Sequence, residues 1–298
     1  MKEIPLSHFF PWKKINDDFV TNILCEFADN GAESVVLTDE WGKRLVKEPG
    51  FYTTLLGWLR ESGMKIFECH GLWSIAYDLN ITDRPRRRAM IEEHKLCMEY
   101  AADLGCRTYV MHIGAFDCYY KDTTLEEMRR LAVESLEKLI PAAEKLGIII
   151  AIENSFEPSN TPDEVLYFLN YFNTPVLGCC FDTGHANIMA KTPGKDPAKY
   201  ASYMNVCWKN GVVEEADAFG KLAPHIVTCH LHDNDSRDDR HWLPGDGPID
   251  WPQLLARLER APRLRSFQNE SEHMKYGISA AQIAKCFQKL LEKNAVAV

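Results

Sequence analysis

Between residues 225 and 247 the chain reads His225-Ile-Val-Thr-Cys-His-Leu-His-Asp233, then Asp239-Arg240-His241, then Gly245-Asp246-Gly247. The apolar run up to Cys229 has the composition of a buried strand, so the polar cluster begins where that strand ends. Imidazoles and carboxylates at this density beside a core strand are unfavourable to desolvate unless they bind something. A metal ion is the simplest occupant.

Residues of the same types stand at the ends of other apolar runs. His70 follows Met64–Cys69, His112 follows Cys106–Met111, and Glu153 follows Ile148–Ile152. Asp182 and His185 follow Val176–Phe181, His230 follows Ile226–Cys229, and Glu270 follows Arg265–Asn269. A single histidine at a strand end is more often a hydrogen-bonded structural group than a ligand, and a single glutamate there is often a solvated rim carboxylate. Six successive strands that each deliver an acid or an imidazole to one rim need another explanation. Two glutamates, one aspartate and one imidazole make a mixed oxygen and nitrogen donor set that suits Mn²⁺, Mg²⁺, Co²⁺ or Zn²⁺. That set is Glu153, Asp182, His230 and Glu270. His230 and His232 alternate and face the same way, as do Glu270 and Glu272, so the residues alone leave each choice open.

The elements that must position these groups alternate along the chain. Ile4–Phe10 is a short apolar run. Asn16 or Asp17 caps a helical pattern through Phe19, Ile23, Leu24 and Phe27 that stops at Asn30-Gly31. Glu33–Thr38 reads as a strand, Tyr52–Leu59 as a helix, and Met64–Cys69 as the third strand. A long helix follows from about Pro85 to Leu104, closed by Gly105. After Cys106–Met111, Thr124-Leu-Glu-Glu127 has the form of a capping box for a helix ending at Lys145-Leu-Gly147. Ile148–Ile152 is continuously apolar, as a parallel strand covered on both faces must be, and Thr161-Pro162-Asp-Glu164 opens the next helix. The remaining pattern is strand at Val176–Phe181, helix from Asp196, strand at Ile226–Cys229, helix from Ile249-Asp-Trp251 through Leu258, strand at Arg265–Asn269 and helix at Ser279–Leu291. Gly marks the helix ends.

About eight strand-helix units predict an α/β fold, a (β/α)8 TIM barrel, whose active site lies at the C-terminal ends of the strands. An open doubly wound sheet would carry a Gly-rich phosphate loop after its first strand, and none is present. With 298 residues, 46% hydrophobic content and no Pro/Ser-rich linker or low-complexity tract, residues 1–298 read as a single domain. The formal net charge is −9, and the longest basic run is Arg86-Arg87-Arg88. That charge disfavours nucleic acid as a partner. Ten cysteines are scattered without a C-x-x-C pair. The chain lacks the layout of a signal peptide at Met1–Pro11, and no apolar stretch is long enough to cross a bilayer. The expectation is a cytoplasmic protein with reduced thiols and no membrane partner.

Ile152-Glu153-Asn154, Phe181-Asp182-Thr183-Gly184-His185, His230-x-x-Asp233, Asp239-Arg240-His241 and Pro244-Gly245-Asp246-Gly247 resemble the motifs of the xylose-isomerase-like TIM-barrel superfamily. That group includes tagatose and psicose 3-epimerases, hydroxypyruvate isomerase, inosose dehydratase and endonuclease IV. The resemblance spans nearly the whole chain from Ile4 to the final helix. In the epimerases it implies one divalent ion, usually Mn²⁺ or Co²⁺, on Glu153, Asp182, His230 and Glu270. The family's His-x-x-Asp pattern prefers His230 to His232. The two glutamates then serve as acid and base, and His185 contacts a substrate oxygen. Endonuclease IV, by contrast, holds three Zn²⁺ ions, and His70, His112, His185, Asp239 and His241 match its extra ligands. Relatives are often dimers or tetramers, so a homodimer or homotetramer is expected.

The preferred reading is a metal-dependent sugar or sugar-phosphate isomerase or epimerase. The ion polarises a carbonyl and a neighbouring hydroxyl and stabilises an enediolate, while Glu153 and Glu270 remove and return the proton. His70, His112, His185 and Arg240 orient hydroxyls or a phosphate. Trp73, Phe116 and Trp242 supply apolar walls. The alternative is an endonuclease IV-like multinuclear hydrolase or phosphodiesterase, with Asp239 and His241 among the ligands of a second or third ion.

Overall fold

The structure is a computed structural model that describes residues 4–296 apart from 12, 115–121, 197–198 and 209. Phe116 and most of the loop that follows the fourth strand lie outside the described residues.

The strands are β1 (Leu6–His8), β2 (Ser34–Leu37), β3 (Lys65–His70), β4 (Thr108–Met111), β5 (Ile149–Glu153), β6 (Leu177–Asp182), β7 (Ile226–Leu231) and β8 (Ser266–Asn269). They pair in sequence order, all parallel, and β8 closes on β1 through Leu6–Phe267, Ser7–Gln268 and His8–Asn269. The fold is therefore the (β/α)8 barrel that the strand-helix count predicts. Among the described residues no helix is long and apolar enough to cross a membrane.

The composition of β5 shows why the barrel forms. All five of its residues are buried. Ile150 and Ile152 face outward into the large core shared with the helices, whereas Ile149 and Ala151 join Val110, Cys180 and Val227 in a smaller cluster on the other face. Strand alternation then turns Glu153 inward at the rim. Register carries this across the sheet, for Glu153 pairs with Cys180, Asp182 with His230, and His230 with Gln268.

The helices are α1 (Asp17–Asp29), α2 (Asp39–Lys47), α3 (Phe51–Ser62), α4 (Arg84–Leu104), α5 (Leu125–Leu146), α6 (Pro162–Phe172), α7 (Thr183–Met189), α8 (Ser202–Cys207), α9 (Ala218–Leu222), α10 (Trp251–Leu258), α11 (His273–Tyr276) and α12 (Ala280–Val296). The expected caps are in place. Asn16 accepts from the Asp18 N–H, and Thr124 from the Glu127 N–H at 3.1 Å. Gly105 and Gly147 close α4 and α5 with φ of 98° and 70°. α6 instead ends on Asn173 at φ 43°, a left-handed position that an asparagine tolerates.

Two departures from the sequence pattern matter. α2 had no counterpart in it, because its nine residues bury only Trp41, Gly42 and Leu45 and give little periodicity. The helix expected from Asp196 is replaced by the six-residue α8, while α7 starts directly after Asp182. Tyr200 and Met204 pack with Ile188 and Met189 into a small separate core rather than along the barrel wall, so a long amphipathic helix is not needed there.

Candidate functional site

Each chemical group sits where a strand runs out. Glu153 and Asp182 are the last residues of β5 and β6, and Glu270 directly follows β8. His230 stands one residue before the end of β7, with His232 one step beyond it on the same face. The four ligand-type atoms of Glu153, Asp182, His230 and Glu270 all lie within 4.8 Å of one another, and all four residues are buried. His230 Nδ1 is 3.1 Å from Glu153 Oε2, 3.1 Å from Glu270 Oε2 and 3.8 Å from Asp182 Oδ2.

The paired alternatives make different contacts. His230 faces both glutamates, whereas His232 Nε2 bonds to the Asp182 carboxylate at 3.0 Å and stands 3.7 Å from Glu270 Oε2. Glu272 points elsewhere, toward Lys13 and Lys275. The geometry also suits a cation. Glu153 Oε2, Glu270 Oε2 and both ring nitrogens of His230 are buried without a hydrogen-bond partner, and a divalent ion would satisfy the two carboxylate oxygens and one of the two ring nitrogens.

Two further groups share residues with this centre or stand beside it. His70 and His112 approach Glu153 Oε2 at 3.9 and 3.3 Å. The Nδ1–H of His70 donates to the Gly71 carbonyl at 2.9 Å, which leaves Nε2 to face the carboxylate. On the other side His185, His232, Asp239 and His241 form a second set within 4.8 Å. Asp239 Oδ2 is 2.9 Å from His241 Nε2 and 3.4 Å from His185 Nε2, and the rings of His232 and His241 stack at 4.0 Å.

Local structure fixes these positions. Asp182 caps α7 by accepting the His185 N–H at 2.6 Å, so the Asp-x-x-His spacing places both residues over the same strand end. Gly184 between them is required sterically, because a Cβ there would land on the His232 ring. Asp233 anchors the loop that carries Asp239 and His241. It accepts from the Gly245 N–H at 3.1 Å and from the Trp251 indole at 2.8 Å, and exchanges backbone hydrogen bonds with Trp242. His241 takes a left-handed φ of 50°, an uncommon conformation for a residue with a side chain, and its Nδ1–H donates to the Glu270 carbonyl.

The electrostatics follow from burial and proximity. Burial opposes the charge on Glu153, yet the positive charges of His230 and His112 hold it well below the ordinary glutamate range. Asp182 is likewise disfavoured by burial but brought down to about 2 by His185 and His232. Burial would lower His185 and His241, but Asp182 and Asp239 raise the first well above the usual value and Asp239 takes the second to about 9. His70 is lowered by burial, only partly offset by Glu153.

The sequence profile of the xylose isomerase-like TIM barrel family matches residues 26–281. The chain belongs to this family. An uncharacterized protein of Methanocaldococcus jannaschii is 25% identical over 212 residues, 70% of this chain and 65% of its own length, so the match spans just under two thirds of that relative. Among solved structures sharing the xylose isomerase-like fold, L-ribulose 3-epimerase superposes with a TM-score of 0.70 at 16% identity, covering 98% of this chain and 94% of that one. The IolI protein with a bound zinc atom gives 0.68 at 19% identity and covers 98% of both chains.

The site opens into a cavity of about 210 Å³ lined by Phe9, Asp39, His70, Trp73, His112, Glu153, Ser155, Phe156, Glu157, His185, Asp239, His241 and Glu270. A larger space of about 880 Å³ lies at the N-terminal ends of the strands, around Ile4, Glu33 and Phe67, and holds no comparable cluster. Trp73 lines the cavity. Arg240 does not: its guanidinium pairs with Asp238 at 3.0 Å and Asp235 at 3.4 Å. Trp242 is also absent from the lining. Sequence reasoning missed Phe9, Asp39, Phe156 and Glu157. The first two carry a signal, since both lie just past the ends of β1 and β2 on the same rim.

Proposed function

We propose that this chain is a divalent-metal-dependent isomerase or epimerase of a small sugar. The observation that supports the reading most is the convergence of Glu153, Asp182, His230 and Glu270, of which Glu153 and Glu270 line a cavity that also has Phe9, Trp73 and Phe156 in its wall. These four would hold the ion, which when bound supplies Lewis-acid polarisation of a carbonyl and its neighbouring hydroxyl. Glu153 and Glu270 carry the proton: one carboxylate takes it from the carbon beside the carbonyl to leave an enediolate, and the other returns it. Glu153 is suited to this because its imidazole neighbours keep it ionised despite burial. His185, bonded to the Asn154 carbonyl and facing Asp239, presents a charged ring to substrate oxygens, and His70 and His112 also line the cavity. Phe9, Trp73 and Phe156 give a sugar ring apolar faces to rest on. Among the described residues no lysine or arginine lines the cavity, which favours an unphosphorylated sugar over a sugar phosphate.

A second reading rests on a specific observation. His70, His112 and Glu153 form one additional ligand group, and His185, His232, Asp239 and His241 another, an arrangement compatible with two or three ions and with phosphodiester hydrolysis. Among the described residues the lining carries Asp39, Glu153, Glu157, Asp239 and Glu270 and no lysine or arginine, so a polyanionic substrate would meet only imidazoles and the ions themselves as cations. Solvent-deuterium exchange into a panel of ketoses, followed by carbon NMR, tests the proposal. Glu153→Gln and Glu270→Gln should each abolish exchange while the fold persists, and unchanged exchange in either would reject its proton-transfer role.

A further inference from the structure

Cys180 sits one layer beneath the proposed ion. It precedes Asp182 by two residues on β6 and so shares its inward face, and it is in register with Glu153 on β5. Its neighbour Cys179 faces outward into the large core, as does Cys229 on β7. One donor atom each from Glu153, Cys180 and His230 lie within 4.8 Å of one another, and none of the three residues is more than 1% exposed. Two of those partners are unsatisfied: Glu153 Oε2 and both nitrogens of His230 have no hydrogen-bond partner. The Cys180 side chain packs with Val110, Ile149, Ala151 and Val227, and at the upper edge of that cluster the sulfur comes within reach of an unsatisfied carboxylate oxygen and imidazole, where it can also serve as a ligand.

We propose that Cys180 is a sulfur donor to the ion held by Glu153 and His230, which makes this centre selective for Zn²⁺ or Co²⁺ over Mg²⁺ or Mn²⁺. The inference rests on the metal-dependent reading above and refines it. Thiolate is a soft donor that borderline ions accept and hard ions do not, whereas Glu153, Asp182, His230 and Glu270 alone would bind either kind. On binding, the Cys180 S–H bond breaks, a sulfur-metal bond forms, and the proton leaves to solvent.

The test uses the whole chain stripped with a chelator and reloaded with Co²⁺. The wild type should show the near-ultraviolet sulfur-to-cobalt charge-transfer band. Cys180→Ser should lose that band, still take up Co²⁺ through the other residues, and bind Zn²⁺ about tenfold more weakly or worse. Cys179→Ala should keep the band. Cys180→Ala serves as a second variant if the serine does not fold. Bound Co²⁺ without the band in the wild type, or a band that survives loss of Cys180, overturns the sulfur donor and leaves the metal reading standing. A wild type that binds no Co²⁺ overturns both.

Discussion

Glu68 offers a sharp test of how the barrel interior is built. It lies on β3 two residues before His70, on the same inward face, with 2% of its surface exposed. Thr108 donates a hydrogen bond to it. Burial pushes its carboxyl up to about 7, against the lowering effects of Thr108, Ser266, Arg107 and His230. The unfolded chain releases the same proton near the ordinary value of 4.5. Between pH 4.5 and 7 the folded state therefore binds a proton that the unfolded state has lost, so stability declines as pH rises through that window. The shift corresponds to about 3 kcal/mol once Glu68 is fully ionised. Glu68→Gln keeps an acceptor for Thr108 and cannot ionise. The chelated variant should match the wild type near pH 4.5 and exceed it by about 3 kcal/mol at pH 8, roughly 5 to 10 °C in melting temperature. Thermal melts from pH 4.5 to 9 followed by circular dichroism provide the measurement. Parallel pH profiles for the two proteins, or a variant less stable at pH 8, would refute the reasoning.

Gly184→Ala should displace His232 and destabilise the fold by about 1–3 kcal/mol, with weakened ion binding, and denaturant melts with metal titrations would show both. Asp233→Ala leaves the Gly245 N–H and the Trp251 indole without their acceptor; a loss of about 2–4 kcal/mol is expected, read from urea midpoints. His8 is lowered to about 4 by burial, so it resists charging when folded. Stability should then fall as pH drops from 6.5 toward 4, by about 3 kcal/mol for this residue, and His8→Gln should flatten that limb of the melting profile. Chelation should lower the melting temperature, since free ion a thousandfold above its dissociation constant stabilises by about 4 kcal/mol; an unchanged melt would speak against a bound ion.

Much of the scaffold was legible because parallel strands covered on both faces leave continuous apolar runs. Ile148–Ile152 announced β5, and the residue that broke the run, Glu153, announced the site. Capping chemistry did the same for α1 and α5 through Asn16 and Thr124. Where side chains share a face, periodicity has no further information. His230 and His232 both point inward, and only distances to Glu153 and Asp182 tell them apart. The position of the Arg240 side chain was not legible for a different reason. Its long side chain is captured by Asp235 and Asp238, close in sequence, and no spacing rule fixes where such a chain turns. Glu157 sits in a loop ordered by Asn160, outside any repeating pattern, and became visible only as part of the cavity wall.

The central claim is that residues from four strand ends share one divalent ion. Calorimetric titration of the chelated protein with Zn²⁺, repeated for Glu153→Gln, Asp182→Asn, His230→Asn and Glu270→Gln, tests it most directly. Each substitution should weaken binding by at least about a hundredfold, the upper end of what losing an outer partner does, while leaving the protein folded. Four folded variants that bind Zn²⁺ as the wild type does would contradict the claim.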